Sequence, residues 1–168
     1  EDVEISLSEV DRSLFPVSHN QMQVWYLEEM YPGTVMHNLP SSIRMKFSVN
    51  RVVLEKTLQY LVQRHAALRT AIVVENGVPV QRVLAKNSPQ LLFKLDLVEA
   101  TEDTILKVLN NEANSNFKKD APPLFNAKLY QLGENDFVFY FMVHHAIWDG
   151  WSFDIFFEEL NIIYSALL

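Results

Sequence analysis

Cysteine is absent from the 168 residues, and with it go disulfides, thiolate zinc sites and cysteine nucleophiles. Its absence fits a reducing compartment, so the cytoplasm is the expected location. Positive charge is in short supply: 14 Lys and Arg stand against 21 Asp and Glu, a formal net charge of -7. The basic residues are scattered rather than gathered into a stripe, so the footprint needed to grip a phosphate backbone is missing and no nucleic-acid partner is expected. Long apolar runs are missing too, none approaching the roughly 18 residues needed to cross a bilayer. Glu1 to Val10 is acidic rather than a basic leader before an apolar block, so no membrane partner is expected either.

What is present is a globular composition, 49% hydrophobic and 21% charged, in a chain without internal repeats or low-complexity segments. One domain is the natural reading, and a chain of this size buries about two thirds of its unfolded surface, enough for a core without covalent staples. The chain begins without methionine and ends inside an apolar helical pattern at Ala166-Leu167-Leu168, which leads us to expect a piece of a longer polypeptide.

Hydrophobic period and chain breakers predict the elements. Ser18 to Met30 reads as a helix capped by Ser18, with Met22, Trp25, Tyr26 and Glu29 marking its turns, and Tyr31-Pro32-Gly33 ends it. Ile43 to Val49 alternates as a half-buried strand with Ile43, Met45, Phe47 and Val49 inward. Val52 to Arg64 returns to helical spacing behind an Asn50 cap, with Val53, Leu54, Leu58, Leu61 and Val62 as its apolar stripe. Thr70 to Val74 and Val78 to Leu84 form a hairpin about Asn76-Gly77, a pair that supplies the positive φ angles of a tight turn. Leu91 to Val98 reads as a strand, and Thr101 to Phe117 as a helix turning Ile105, Leu106, Val108, Leu109 and Ala113 inward. Phe125 to Leu132 reads as a strand, as does Phe137 to His145, which is apolar on both faces like a central strand covered on both sides. A final helix from Ser152 carries apolar residues nearly all round. The predicted fold class is α/β, a two-layer sandwich in which helices pack on a mixed sheet.

The chemistry gathers at the end of the central strand. Successive strand residues face opposite ways, so His145 goes with Phe137, Phe139, Phe141 and Val143, and His144 with Val138, Tyr140 and Met142. Two imidazoles so aimed do not share one ion, and no other ligand sits at metal spacing, so no metal is expected. Asp149 and Gly150 fall in the next turn, where a carboxylate can fold back onto the backbone and glycine admits a ligand closely. A lone histidine at a strand end is ordinarily a hydrogen-bonded core residue; here it is followed by Asp-Gly at a fixed interval and then by Trp151-Ser152.

The run His144-His145-Ala146-Ile147-Trp148-Asp149-Gly150 resembles the His-His-x-x-x-Asp-Gly signature of the acyltransferase superfamily that holds chloramphenicol acetyltransferase and the condensation domains of nonribosomal peptide synthetases. Two stretches point to the condensation domains. Ser18-His19-Asn20-Gln21-Met22-Gln23-Val24-Trp25 is similar to their opening Ser-x-Ala-Gln-x-Arg-Leu-Trp motif, and Arg64-His65-Ala66-Ala67-Leu68-Arg69-Thr70 to their Arg-His-Glu-x-Leu-Arg-Thr motif. Asn20, Gln23 and Ala66 depart from the family's alanine, arginine and glutamate, whereas the histidine motif is complete. Trp151-Ser152 directly after Asp-Gly resembles the peptide-forming branch rather than the epimerization domains.

The resemblance implies one lobe of the acyltransferase fold, the N-terminal subdomain, with the C-terminal lobe absent. It implies amide formation between acyl or peptidyl and aminoacyl thioesters, both tethered to peptidyl carrier proteins by phosphopantetheine, with no directly bound cofactor. His145 is then expected to orient the amine or take its proton, His144 to pack, Asp149 to hold the turn in an ion pair with Arg69, and Gly150 to give backbone access and an N–H for an oxyanion. Partners expected on the same ground are the donor and acceptor carrier proteins, the second lobe and adjacent synthetase domains. An isolated lobe is expected to be inactive and to self-associate through exposed apolar surface. The rival readings are a coenzyme A-dependent acyltransferase, a non-catalytic carrier-protein docking module, and a hydrolase using Ser152. No Gly-x-Ser-x-Gly elbow surrounds Ser152, which reads more simply as a helix cap.

Overall fold

The computed structural model describes residues 13–118 and 120–168. Among them, two sheets and four α-helices follow one another as β1 (Leu14–Pro16), α1 (His19–Met30), β2 (Asn38–Met45), α2 (Arg51–Arg64), β3 (Thr70–Glu75), β4 (Val78–Val83), β5 (Asp96–Glu99), α3 (Glu102–Ala113), β6 (Phe125–Gly133), β7 (Asp136–His144) and α4 (Gly150–Leu167). The smaller sheet runs β1-β4-β3 and the larger β2-β7-β6-β5. Among the described strands only β5 and β6 pair in parallel, as a helical crossover requires; α3 is that crossover. The larger sheet is therefore mixed, and the α/β class expected from the sequence is the one observed.

β7 is central, paired antiparallel to β2 on one side and β6 on the other, and every residue from Phe137 to His144 is buried. Its two faces feed two cores. Phe137, Phe139, Phe141 and Val143 pack with Leu54, Leu58 and Leu61 of α2 and Phe156 of α4. Val138, Tyr140 and Met142 pack with Tyr130 of β6 and Ile105 of α3. Helices thus cover both faces of this sheet, which is why β7 carries no polar alternation.

Local chemistry sets most element ends. Ser18 and Gln21 form a reciprocal capping box at α1, and the Asn50 side chain accepts from the N–H groups of Val52 and Val53 at α2, removing free N–H donors from each first turn. Asn76 and Gly77 take φ of 52° and 80°, the left-handed pair that matches the twist of the β3–β4 hairpin.

Three predicted elements are shifted. β2 begins at Asn38 and stops at Met45 because β7, with which it pairs residue for residue from Asn38↔His144 to Met45↔Phe137, begins there. Ile43 and Phe47, expected inward, are exposed. Pro40 is tolerated because β2 is an edge strand. The expected strand from Leu91 shrinks to Asp96–Glu99, preceded by a short 3-10 turn at Pro89–Leu91, since only that stretch finds a partner in β6. α3 ends at Ala113 rather than Phe117, and Leu106, expected inward, points to solvent at 72% exposure.

Candidate active site

The segment 145–149 links the end of β7 to the start of α4, and both ends are anchored. Trp148 is buried against Phe141, Phe153 and Phe156 with edge-to-face ring separations of 5.7 to 5.9 Å. Phe141 and Phe156 stack with centroids 4.2 Å apart. Asp149 caps α4: its Oδ1 accepts from the Ser152 N–H at 2.9 Å and from the Ser152 hydroxyl at 2.7 Å. The Ser152 hydroxyl and N–H, with a contribution from His145, hold the Asp149 carboxyl below the ordinary carboxylate range. The cap is thus Asp149 rather than Ser152, which serves as the reciprocal partner within the first turn.

His145 lies one residue beyond β7 and is exposed, whereas His144, the last residue of the strand, is buried. The His145 N–H donates to the His37 carbonyl at 2.9 Å. Its ring Nδ1 sits 2.6 Å from the Trp148 carbonyl oxygen. A carbonyl only accepts, so Nδ1 carries the proton and Nε2 of the neutral ring keeps a free lone pair. The ring opens on a cleft of about 340 Å³ lined by Asn20, Gln21, Thr70, Gln81, Trp148 and Ser152, among others. An imidazole held in this way can accept a proton or a hydrogen bond at Nε2 from a group in the cleft.

His144 faces the other way. The Ala146 N–H donates to its Nδ1 at 3.1 Å, which leaves the proton on Nε2, 2.7 Å from a Glu28 carboxylate oxygen. Packing, the role expected of His144, is therefore only part of what it does. Glu28 carries no sequence signal of its own, yet it is the buried residue of α1, whereas Tyr26 and Glu29 on the same helix are exposed. Gln21, the matching glutamine of the opening motif, joins that motif to the histidine turn: its Nε2 donates to the Ala146 carbonyl at 2.9 Å and to the Gln81 side chain at 3.0 Å.

Arg69 does not form the expected ion pair. Its side chain is buried and its Nη1 donates to the Leu84 carbonyl; among the described residues no ion pair joins it to Asp149. The hairpin brings the end of β4 beside Arg69, with the Leu84 N–H donating to the Arg69 carbonyl at 2.9 Å, while the Asp149 carboxylate is engaged by Ser152. The same stretch reaches α4 through its other end: Arg64 and His65 bind Glu159 at 3.0 and 2.6 Å. Gly150 is the first residue of α4; a Cβ there would meet nothing within 4 Å, so neither packing nor backbone conformation demands the glycine. No group of three or more His, Asp or Glu able to hold a metal is found among the described residues, and none of the helices described is long and apolar enough to cross a membrane.

This geometry sits in a known lineage. The family model of the condensation domain matches residues 12–168. The chain belongs to the condensation-domain family. It is 36% identical over 156 residues to a linear gramicidin synthase of Brevibacillus parabrevis, a match that covers 90% of this chain and 2% of that protein. The fold matches the first condensation domain of the CDA synthetase with a TM-score of 0.82 at 19% identity, over 94% of this chain and 40% of that one. The X-domain of teicoplanin biosynthesis, solved in complex with OxyB, matches with a TM-score of 0.83 at 24% identity, over 96% of this chain and 34% of that one. This condensation-domain chain therefore spans less than half of each of these three proteins, and it corresponds to the N-terminal portion of the domain.

Proposed function

We propose that this chain supplies the catalytic histidine, His145, of a nonribosomal peptide synthetase condensation domain. The reaction joins an acyl or peptidyl thioester to an aminoacyl amine, both delivered by peptidyl carrier proteins on phosphopantetheine arms. The observation that carries the reading is the His145 ring: exposed to the cleft, its Nδ1–H fixed on the Trp148 carbonyl and its Nε2 free.

The thioester carbonyl is already activated, and a free α-amine, with a pKa of roughly 8, is partly neutral near pH 7. The amine nitrogen bonds to the carbonyl carbon, the ammonium proton of the adduct passes to His145 Nε2, and the C–S bond breaks to release the pantetheine thiolate, which recovers that proton. A good share of the rate comes from aligning two tethered reactants. Gly150 presents its N–H at the start of α4, one of the N–H groups a helix leaves without an internal partner, and is the candidate donor to the developing oxyanion. His144 and Asp149 hold the turn, and Arg69 supports the backbone at the hairpin's end.

The decisive experiment is His145→Ala in the complete domain, with acyl- and aminoacyl-loaded carrier proteins and mass-spectrometric detection of the amide. Loss of product with the fold retained is expected; undiminished product overturns the assignment. A second reading, a non-catalytic docking module, draws on the likeness to the teicoplanin X-domain, solved as a partner complex; it predicts carrier-protein binding with no amide formed. A coenzyme A-dependent acyltransferase would instead turn over with acyl-coenzyme A and no carrier protein.

The match to 40% of a complete condensation domain supports a further proposal: this chain alone is inactive, because one wall of the substrate channel lies in a second lobe. The cytoplasm remains the proposed location.

A further inference from the structure

α1 presents a polar face to the histidine turn. Gln21 and Glu28 are seven residues apart, two turns of one helix and hence on the same side, and both reach the segment that carries His145. Gln21 donates to the Ala146 carbonyl at 2.9 Å. Glu28, 8% exposed, places Oε1 2.7 Å from His144 Nε2 and 2.9 Å from His37 Nδ1. His37 and His144 are themselves buried, and Phe117 packs edge-on against the His144 ring at 5.8 Å. His37 also accepts the His145 backbone N–H through its carbonyl, so the two residues that Glu28 binds grip the turn from both sides.

Only one tautomer of His144 satisfies this arrangement. The Ala146 N–H needs an acceptor at Nδ1, so Nε2 must donate, and Glu28 is the acceptor placed to receive it. With that bond made, the His144 ring fixes the peptide at Ala146, Gln21 fixes the other side of the same residue, and the chain reaches Trp148 with its carbonyl aimed at His145 Nδ1. Remove the carboxylate and the His144 N–H is left buried without a partner, a penalty that the turn relieves by moving.

We infer that Glu28 is a positioning residue for the reaction: through the His144 ring it sets the turn that holds His145 in the Nδ1–H form, leaving Nε2 free for the substrate amine. This rests on His145 being the catalytic residue, but its mechanical half is separable from it.

The test compares Glu28→Leu, which removes the acceptor, with Glu28→Gln, which keeps an oxygen in place. In the ¹⁵N-labelled 168-residue chain, long-range ¹H–¹⁵N spectra report which ring nitrogen is protonated. The expected result is one fixed His145 tautomer in the parent and in Glu28→Gln, and a mixture of both in Glu28→Leu. In the complete domain, kcat should fall roughly tenfold or more for Glu28→Leu, as for loss of an orienting partner behind a site ligand, with little change in KM and near-complete recovery in Glu28→Gln. Should Glu28→Leu fail to fold, Glu28→Asp, which withdraws the carboxylate while keeping its charge, replaces it with the same expectations. A His145 ring that stays in the Nδ1–H form in the folded variant overturns the inference, as does a variant with unchanged kcat. If His145→Ala retains activity while the tautomer shift occurs, the catalytic reading fails and the positioning contact stands.

Discussion

At the level of single residues, Asp149 shows most simply what a motif side chain does in the turn. Its carboxylate holds the first turn of α4 through Ser152, so Asp149→Ala should cost about 1 kcal/mol, the usual worth of an N-cap, read as a lowered urea midpoint. The effect has a pH signature. Because Ser152 and His145 depress the folded pKa, the cap's contribution is complete above the unfolded value of about 3.9 and is lost as pH falls through the lower folded value. The stability gap between parent and Asp149→Ala should therefore close on acidification below about pH 4. A gap that persists at the lowest pH would assign the loss to something other than the carboxylate. The motif residues are legible in the sequence as a set, but their contacts are not. Resemblance pairs Arg69 with Asp149, and the structure gives each a different partner because hydrogen-bond reach, not motif membership, decides.

Elements are legible where the signal is local. The α2 stripe, the Asn-Gly hairpin and the two-faced apolar run of β7 are readable because period and turn chemistry belong to the segment itself. Gly77, at φ 80°, illustrates the turn: Gly77→Ala should cost about 1 kcal/mol, from the left-handed backbone alone, since a Cβ there meets nothing within 4 Å. The limits of β2 and β5 are not readable in this way, because a segment beyond its partner's end has no ladder to join. α1 is legible in extent but not in facing, since its one buried residue is Glu28, a carboxylate among partly buried Met22, Val24 and Trp25. α4 holds two aromatic residues that its sequence does not tell apart: Phe156 is 2% exposed and stacked on Phe141, whereas Trp151 is 79% exposed. Phe156→Ala should cost about 3–5 kcal/mol, while Trp151→Ala should stay within about 0.5 kcal/mol. Chemical denaturation of the two variants side by side checks both, and equal losses would contradict the packing.

For the whole molecule, the exposed apolar residues of α4 are the quantity of interest. Trp151, Ile155, Ile162 and Leu167 all lie open, on a helix whose other side packs on β7 and α2. A surface of this kind promotes association, and we expect the isolated chain to sediment as a concentration-dependent oligomer, with Ile155→Glu and Ile162→Glu shifting it toward monomer. A chain that is strictly monomeric across a wide concentration range would argue against this expectation.

The amino-acid sequence by itself determined the α/β class, the family, the central strand and the motif that ends it, because period, turn residues and motif spacing are properties of neighbours along the chain. The partner of each motif residue was decided only by tertiary structure. Glu28 meets His144 across 116 positions of sequence, and Gln21 meets Ala146 across 125; no local pattern encodes such contacts, since they exist only once a helix and a strand end have been packed side by side.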